Sequence, residues 1–418
     1  MTDVLLCRKA ALRIFEQTAR KGQSLEDVFD VETHGFDSRD KAFIRMLTST
    51  AFRRLGQIDD LLSKLLKKPL PPRAQRAKDI LRLGITQLLF METPAHAAVD
   101  TSVELARVTG EAFYVPLINA LLRELTRHGN SLLKTQDAAR LNTPSFLWNS
   151  WVNAYGEEKA HNIADAHLTE PSVDISVKEN PTKWAEKLGG VLLPTGSVRL
   201  APNSYIPELP GFQEGAWWVQ DAAAALAVRL MGDVNGQKIA DLCAAPGGKT
   251  AGLLVAGANV DAFDISEKRL ERVRTNLSRL HLQARITALN ANEIEGQAIY
   301  DKILIDAPCS ATGTLRRHPD IVVHRTAQDI ERLQVAQERL LKTAHRLLKP
   351  KGIVVYCTCS LQKEEGEDII EKVRSLFDRV PITDSLLQPY LTPAGDIRTF
   401  PMNGTDGFFM AKLIKKGD

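Results

Sequence analysis

The chain has 418 residues, 44% hydrophobic and 25% charged, with 54 Lys and Arg against 51 Asp and Glu for a formal net charge of +3. That length implies about two or three domains, each able to bury its own core, and excludes a small stapled fold. The balanced charge does not by itself announce a nucleic-acid binder, so where the charges fall matters more than their sum.

From residue 1 to about 140, apolar residues recur at three- and four-residue spacing. The runs are Leu61-Leu62-Leu65-Leu66, Ile80-Leu81-Leu83-Ile85-Leu88-Leu89 and Val115-Leu117-Ile118-Leu121-Leu122-Leu125. This spacing predicts an all-α domain over 1–140, its Leu and Ile stripes forming the core. Met1 to Arg20 alternates charged and apolar residues as an amphipathic helix does, unlike a signal peptide. No stretch approaches the ~18 apolar residues of a membrane span, so a soluble, cytoplasmic protein with no membrane partner is expected. Pro69-Leu70-Pro71-Pro72 and Thr93-Pro94 interrupt the helical pattern. A basic run spans the first of these breaks: Arg53, Arg54, Lys64, Lys67, Lys68, Arg73, Arg76, Lys78 and Arg82, against Asp59, Asp60 and Asp79. A solvated helix face is the ordinary reading of such a run, and a phosphate-facing surface is the alternative.

Residues 141–215 combine a predicted helix, Phe146 to His167, with strand-like runs such as Val173-Asp174-Ile175-Ser176-Val177. With the punctuation of Pro207, Pro210 and Gly211, they read as a small α/β connector. Over 216–418 strands and helices alternate, with strands expected at Lys238 to Leu242, Asn259 to Asp264, Ile286 to Leu289, Lys302 to Ile305 and Ile353 to Cys357. That alternation specifies an α/β domain with a doubly wound, mostly parallel, Rossmann-like sheet.

Five scattered cysteines suit reduced thiols better than a disulfide framework, and no CxxC pair or His/Cys cluster suggests a metal. Cysteine is among the most buried residue types, and Cys7, Cys243 and Cys357 read as core. Cys309 and Cys359 differ because each stands just past a predicted strand, in Asp306-Ala307-Pro308-Cys309-Ser310 and Thr358-Cys359-Ser360. Open α/β sheets present their ligands at such ends, so two thiols there can approach one substrate. Cys357 precedes Cys359 by two positions, and a continuing strand would point both to one face.

The segment Asp241-Leu242-Cys243-Ala244-Ala245-Pro246-Gly247-Gly248-Lys249-Thr250 follows a strand and opens a helix, placing backbone N–H groups beside small residues. A phosphate loop requires glycine where this chain has Cys243, which argues against a nucleoside triphosphate. Asp264 ends the second strand near the ~20-residue offset at which a carboxylate grips ribose hydroxyls, the alternative being a surface aspartate. Asp306 follows an apolar run, where partial burial raises a carboxyl pKa and lets it share a proton. A free thiol of pKa ~8.5 is only a few per cent thiolate at neutral pH, so an attacking cysteine needs a neighbour favouring the anion. Lys249 is that candidate, with a solvated lysine as the plain alternative. Arg316-Arg317-His318 forms a basic stretch suited to a phosphate backbone.

In this order, the Pro246-Gly247-Gly248-Lys249 loop, the Asp-Ala-Pro-Cys-Ser stretch continuing to Arg316-Arg317-His318-Pro319-Asp320, and Thr358-Cys359-Ser360 closely resemble the S-adenosylmethionine-dependent RNA cytosine-C5 methyltransferases. Within them the match is to the RsmB family, also called Sun or Fmu. It runs from Val219-Gln220-Asp221 to Asp406-Gly407-Phe408-Phe409, and the helical amino-terminal third resembles the NusB-like RNA-binding domain that accompanies this family. The resemblance implies methylation of C5 of a specific cytosine in 16S rRNA. Cys359 would add to C6, Asp306 would contact the N3/N4 edge with Lys249 in support, and Cys309 would help expel Cys359 after the C5 proton leaves. Cys243, Ala244, Ala245, Pro246, Gly247, Gly248, Lys249, Asp264, Asn290 and Asp306 would surround S-adenosylmethionine. The expected partner is 16S rRNA, free or in an early assembly intermediate, for a metal-free monomer.

Three positions depart from the family pattern: Asn290 stands where aspartate is common, Ile175-Ser176-Val177-Lys178 replaces a Leu-Arg-Xaa-Asn stretch, and Gly366 replaces an asparagine after Glu364-Glu365. An asparagine carbonyl still accepts from an adenine amine, so cofactor binding of altered strength is expected. Two other classes compete. A non-catalytic RNA-binding assembly factor needs neither the intact loop nor both thiols, and a protein-amide methyltransferase needs an aromatic end to the loop that carries Asp306-Ala307-Pro308-Cys309.

Overall fold

In the computed structural model, which describes residues 3–201, 204 and 206–417, the chain divides into two units. One runs to Thr169 and includes Leu315–Arg325; the other holds Glu170–Thr314 and the chain from Thr326 onward.

The first unit is helical. Its principal helices are Asp3–Lys21, Leu25–Glu32, Ser38–Arg53, Leu55–Leu65, Gln75–Leu89, Ala95–Val108, Val115–Leu133, Ser145–Tyr155 and Glu157–His167. Ser24 and Asp37 cap their helices by accepting from Asp27 N–H and Asp40 N–H, satisfying donors that a helix start leaves open. The apolar spacing becomes one core, with Phe15 stacked on Phe52 at 4.6 Å between ring centroids. The expected single helix from Phe146 to His167 is instead two, broken at Gly156. Its φ of 82° and ψ of 161° lie where only glycine is comfortable, so the helix cannot run through it. No described helix is long and apolar enough to cross a membrane.

Four members of the basic run, Lys64, Arg76, Lys78 and Arg82, are ion-paired inside this unit. Arg82 reaches Asp59 at 2.6 Å and Asp79 at 2.9 Å, Arg76 reaches Glu16 at 2.9 Å and Lys64 reaches Asp60 at 2.7 Å. Among the described residues, Lys67, Lys68 and Arg73 are exposed and carry no ion pair. Arg316 is also unlike its expectation: it is 5% exposed, and its carbonyl accepts from Arg53 at 2.8 Å. Asp320, four residues on, accepts from Leu25 N–H at 3.0 Å. A guanidinium so enclosed does not face a phosphate backbone; His318 is the exposed member of that stretch.

His167 is enclosed with neither ring nitrogen hydrogen-bonded, and burial together with the charge of Arg316 depresses its pKa to about 3. The unfolded chain takes up a proton near pH 6.5 that the folded chain refuses until about pH 3, so stability falls as pH drops through that window, by about 1.4 kcal/mol per unit. His167→Phe should flatten this dependence in denaturant titrations run between pH 4 and 7. An unchanged slope would place the acid sensitivity elsewhere.

The second unit holds two sheets. The smaller contains β1 (Asp174–Val177), β2 (Val191–Leu192), β3 (Val198–Arg199) and β4 (Trp217–Val219), antiparallel in the order β2-β3-β1-β4. The departing stretch 175–178 lies here and is engaged internally: Ile175 is buried, Ser176 donates to Gln220 at 2.8 Å and the Lys178 ammonium meets the Leu280 carbonyl.

The larger sheet contains β5 (Lys238–Leu242), β6 (Asn259–Asp264), β7 (Arg285–Ala288), β8 (Tyr300–Asp306), β9 (Leu348–Thr358), β10 (Phe377–Arg379), β11 (Ile397–Arg398) and β12 (Phe409–Lys415). Their order is β10-β12-β9-β8-β5-β6-β7, with β11 beside β12. The pairs from β9 through β7 are parallel, and β10, β11 and β12 pair antiparallel. Ile303, Leu304 and Ile305, like Val354, Val355 and Tyr356, are wholly buried, as continuous apolar runs in a sheet covered on both faces must be. Strand order reverses between β5 and β8, so loops at their carboxyl ends diverge and leave a crevice.

Candidate active site at the carboxyl ends of the parallel strands

β5 delivers the loop 243–249. Cys243 has φ of 66°, rare for a residue with a side chain, and Gly247 has φ of 99° where an added Cβ would lie 3.1 Å from Val273. Helix Gly248–Val255 starts immediately afterwards and presents its N-terminal N–H groups at the crevice. At the strand end, Asp241 is wholly buried; Oδ2 accepts from Thr250 at 2.6 Å while Oδ1 has no partner. Burial, with Asp306 and Asp264 nearby, pushes its pKa up to about 7. An orphaned, buried carboxylate oxygen beside glycine-lined backbone is a cradle for a polar ligand bearing a cationic donor.

Asp264 is 2% exposed, not a surface aspartate. Its oxygens accept from Ala245 N–H at 3.3 Å and Ser266 N–H at 3.0 Å, and Arg269 stands 3.3 Å away. It therefore holds the 243–249 loop onto β6 while closing the same crevice. Asn290 Oδ1 accepts both Asn292 N–H and Asn292 Nδ2–H at 3.1 Å, so its two lone pairs are engaged and an adenine amine would have to displace one.

β8 ends at Asp306, whose Oδ2 accepts from Lys249 Nζ at 2.6 Å, joining the β5 and β8 loops. Burial works to discharge the ammonium, but Asp306, Cys357 and Cys359 outweigh it and raise the Lys249 pKa. The cation also lies 5.3 Å from the Phe408 ring centroid. Lys249 is thus a fixed, enclosed positive charge rather than a solvated lysine.

The two thiols meet. Cys309, after β8, and Cys359, after β9, have Sγ atoms 3.4 Å apart, although 50 residues separate them in sequence. Cys359 is half-buried and Cys309 is 9% exposed. The Cys309 pKa is held well above that of an ordinary thiol by the Cys359 contact, by burial and by the charge of Glu365. Cys357 is wholly buried beneath the site, donating to the Ile305 carbonyl at 3.3 Å with its sulfur 3.6 Å from Asp306 Oδ1. Cys359 lies beyond the end of β9, so the two-residue strand periodicity does not carry over. Cys7 is buried and Cys243 half-buried, with burial raising the Cys243 pKa to about 12.

Glu365 was not picked out by its position in the sequence as a functional residue. It is wholly buried and accepts from Ser310 and Ser360, the residues that follow the two cysteines. The repeated Cys-Ser dipeptide was the available signal. Gly366 beside it packs closely, since an added Cβ would lie 2.7 Å from Arg398 and 2.8 Å from the Phe409 ring, leaving no room for an asparagine there.

The family model for "16S rRNA methyltransferase RsmB/F" matches residues 228–414, and that for the NusB family matches residues 6–127. The chain is 36% identical over 429 residues to ribosomal RNA small subunit methyltransferase B of Cronobacter sakazakii, covering 98% of each chain. Against the protein of the same name from Klebsiella pneumoniae subsp. pneumoniae it is 36% identical over 428 residues, again covering 98% of each. A solved methyltransferase homolog from Pyrococcus horikoshii aligns with TM-score 0.57 and 30% identity over 67% of this chain and 98% of that one. With these likenesses joined to the cradle after β5 and the thiols after β8 and β9, the chain belongs to the RsmB/F family of S-adenosylmethionine-dependent 16S rRNA methyltransferases.

Proposed function

We propose that the protein methylates C5 of a specific cytosine in 16S rRNA through a covalent bond between Cys359 and C6. The observation that carries this reading is the approach of the Cys309 and Cys359 thiols to 3.4 Å beside the Lys249–Asp306 pair. Cytosine C5 is a poor nucleophile, and adding sulfur at C6 divides one hard step into easier ones. S-adenosylmethionine supplies an electrophilic methyl group when bound. The 243–249 loop, Asp264, Asn290 and Asp306 would hold it, and the unpartnered Asp241 oxygen is suited to a cationic part of such a ligand.

Cys359 loses its proton and adds to C6, which makes C5 carbanion-like and able to take the methyl. Lys249 holds an enclosed positive charge at the reacting site, paired with Asp306. Asp306 gives Oδ2 to Lys249, while Oδ1, 3.6 Å from the Cys357 sulfur, keeps a second lone pair to accept from the cytosine N4 amine. Solvent water takes the C5 proton, the C5–H electron pair restores the C5–C6 double bond, and the Cys359–C6 bond breaks as Cys309 donates a hydrogen bond to the departing thiolate. Residues 1–140 bind RNA, 141–215 connect and 216–418 carry the chemistry, in a cytoplasmic monomer that needs no metal. The substrate is 16S rRNA, free or in an early assembly intermediate.

Bisulfite sequencing of rRNA from a deletion strain tests the assignment. One 5-methylcytosine of 16S rRNA should disappear and return with the wild-type gene; an unchanged map would refute it. The exposed cations predict a second result. Changing Lys67, Lys68 and Arg73 together to alanine should weaken rRNA binding and lower the slope of log affinity against log salt by about 2 to 3 if all three contact phosphates. Filter binding between 50 and 200 mM salt, on the order of the usual range, would show an unaltered slope if RNA binds elsewhere.

A further inference from the structure

We infer that Glu365 is the positioning residue that sets the distance between the two active-site thiols, clamping the loop after β8 to the loop after β9. Its carboxylate is wholly buried yet fully engaged. Oε1 accepts from Ser310 N–H at 2.9 Å and from Gln337 Nε2 at 3.1 Å; Oε2 accepts from Ser360 Oγ at 2.6 Å and from Ser310 Oγ. The same Gln337 nitrogen donates to the Pro308 carbonyl at 2.9 Å. Cys309 is therefore gripped on both sides, through Pro308 by way of Gln337 and through Ser310 directly, while Cys359 is gripped through Ser360. The backbone of residue 365 is fixed in turn, since the Tyr356 hydroxyl of β9 donates to its carbonyl at 2.9 Å.

A buried carboxylate is tolerated when its charge is met by hydrogen bonds, and each donor it gathers is thereby held in place. Here the donors flank both thiols. Side chains two loops apart drift independently unless something common ties them, and a hydrogen bond between sulfur atoms is too weak to do so alone. Burial raises the Glu365 pKa against the pull of Ser310, Ser360 and Gln337, and its charge is among the influences that keep Cys309 protonated. Glu365 touches neither thiol and so acts through the loops it joins.

The inference rests on the covalent reading above, and the test separates the two. Glu365→Ala, Glu365→Gln and Ser360→Ala would be compared with Cys309→Ala for donor affinity, steady-state turnover and protein–RNA adduct that survives denaturation. In Glu365→Ala the donor dissociation constant should stay within about twofold of wild type while turnover falls about tenfold or more and adduct accumulates, a tenfold change being the scale of one lost hydrogen bond to a charged group. Glu365→Gln keeps an acceptor for Ser310 N–H and should restore part of the turnover. Ser360→Ala cuts one arm without stranding a buried charge, so it should show the same signs, more weakly, even if Glu365→Ala fails to fold. Adduct in Cys309→Ala but none in the Glu365 and Ser360 variants would overturn the clamp alone, as would a loss of donor affinity that matches the loss of turnover. No adduct in Cys309→Ala would reassign the second thiol and the clamp with it, whereas retained turnover in Cys359→Ala would overturn the covalent reading itself.

Discussion

Cys359→Ala is expected to reduce methyl transfer by at least about 10³-fold, the scale on which loss of a covalent nucleophile acts, with donor affinity near normal. Cys359 lies beyond the end of β9 and is half-buried at the margin of the cluster that holds Cys357, Phe408 and Met410, so truncation to alanine removes the reactive sulfur from the edge of that core. The residues proposed to hold the donor are others: the loop after β5, Asp241 and Asp264. Equilibrium binding of S-adenosylmethionine and single-turnover transfer to rRNA check the two halves separately. Retained turnover would discard the covalent mechanism; lost binding would mean that the thiol supports the cradle.

Cys309→Ala should do the opposite to the RNA. Addition proceeds, but the protein–RNA adduct accumulates and survives denaturation, visible as a shifted band on a denaturing gel that nuclease removes. The reason lies in the two thiols' unequal surroundings. Cys309 is kept protonated by the Cys359 contact, by burial and by Glu365, so it is a poor competing nucleophile and a ready S–H donor. At 3.4 Å it can donate to the sulfur leaving C6, making that sulfur a better leaving group. Alanine removes this help after the methyl has already moved. Absence of the adduct would reassign the second thiol.

Much of this site could be seen in the sequence because parallel strands announce themselves. The expected strands Lys238 to Leu242 and Asn259 to Asp264 coincide with β5 and β6; Asp264 ends β6, and Lys249 stands in the first turn of the helix that follows β5. A buried parallel strand is a continuous apolar run bounded by turn residues, a signal that survives without neighbours. The antiparallel edge was harder to see. β10, at the edge, has three residues and depends on its partner β12 more than on its own pattern. Gly156 split a helix whose apolar spacing runs straight through it, a case of backbone geometry overriding periodicity. Arg316 looked like a phosphate ligand by charge alone, and only its packing within the helical unit shows it enclosed. Glu365 was invisible for a related reason. A buried acid reads as a surface acid until its donors, 5 and 55 residues away, are seen around it.

The central claim is most directly tested by mass spectrometry of the adduct trapped with Cys309→Ala on 16S rRNA. After protease and nuclease digestion, the peptide containing Thr358-Cys359-Ser360 should carry a methylated cytidine nucleotide through its sulfur. A nucleotide on any other residue, or none on Cys359 while the variant still methylates, would contradict the account.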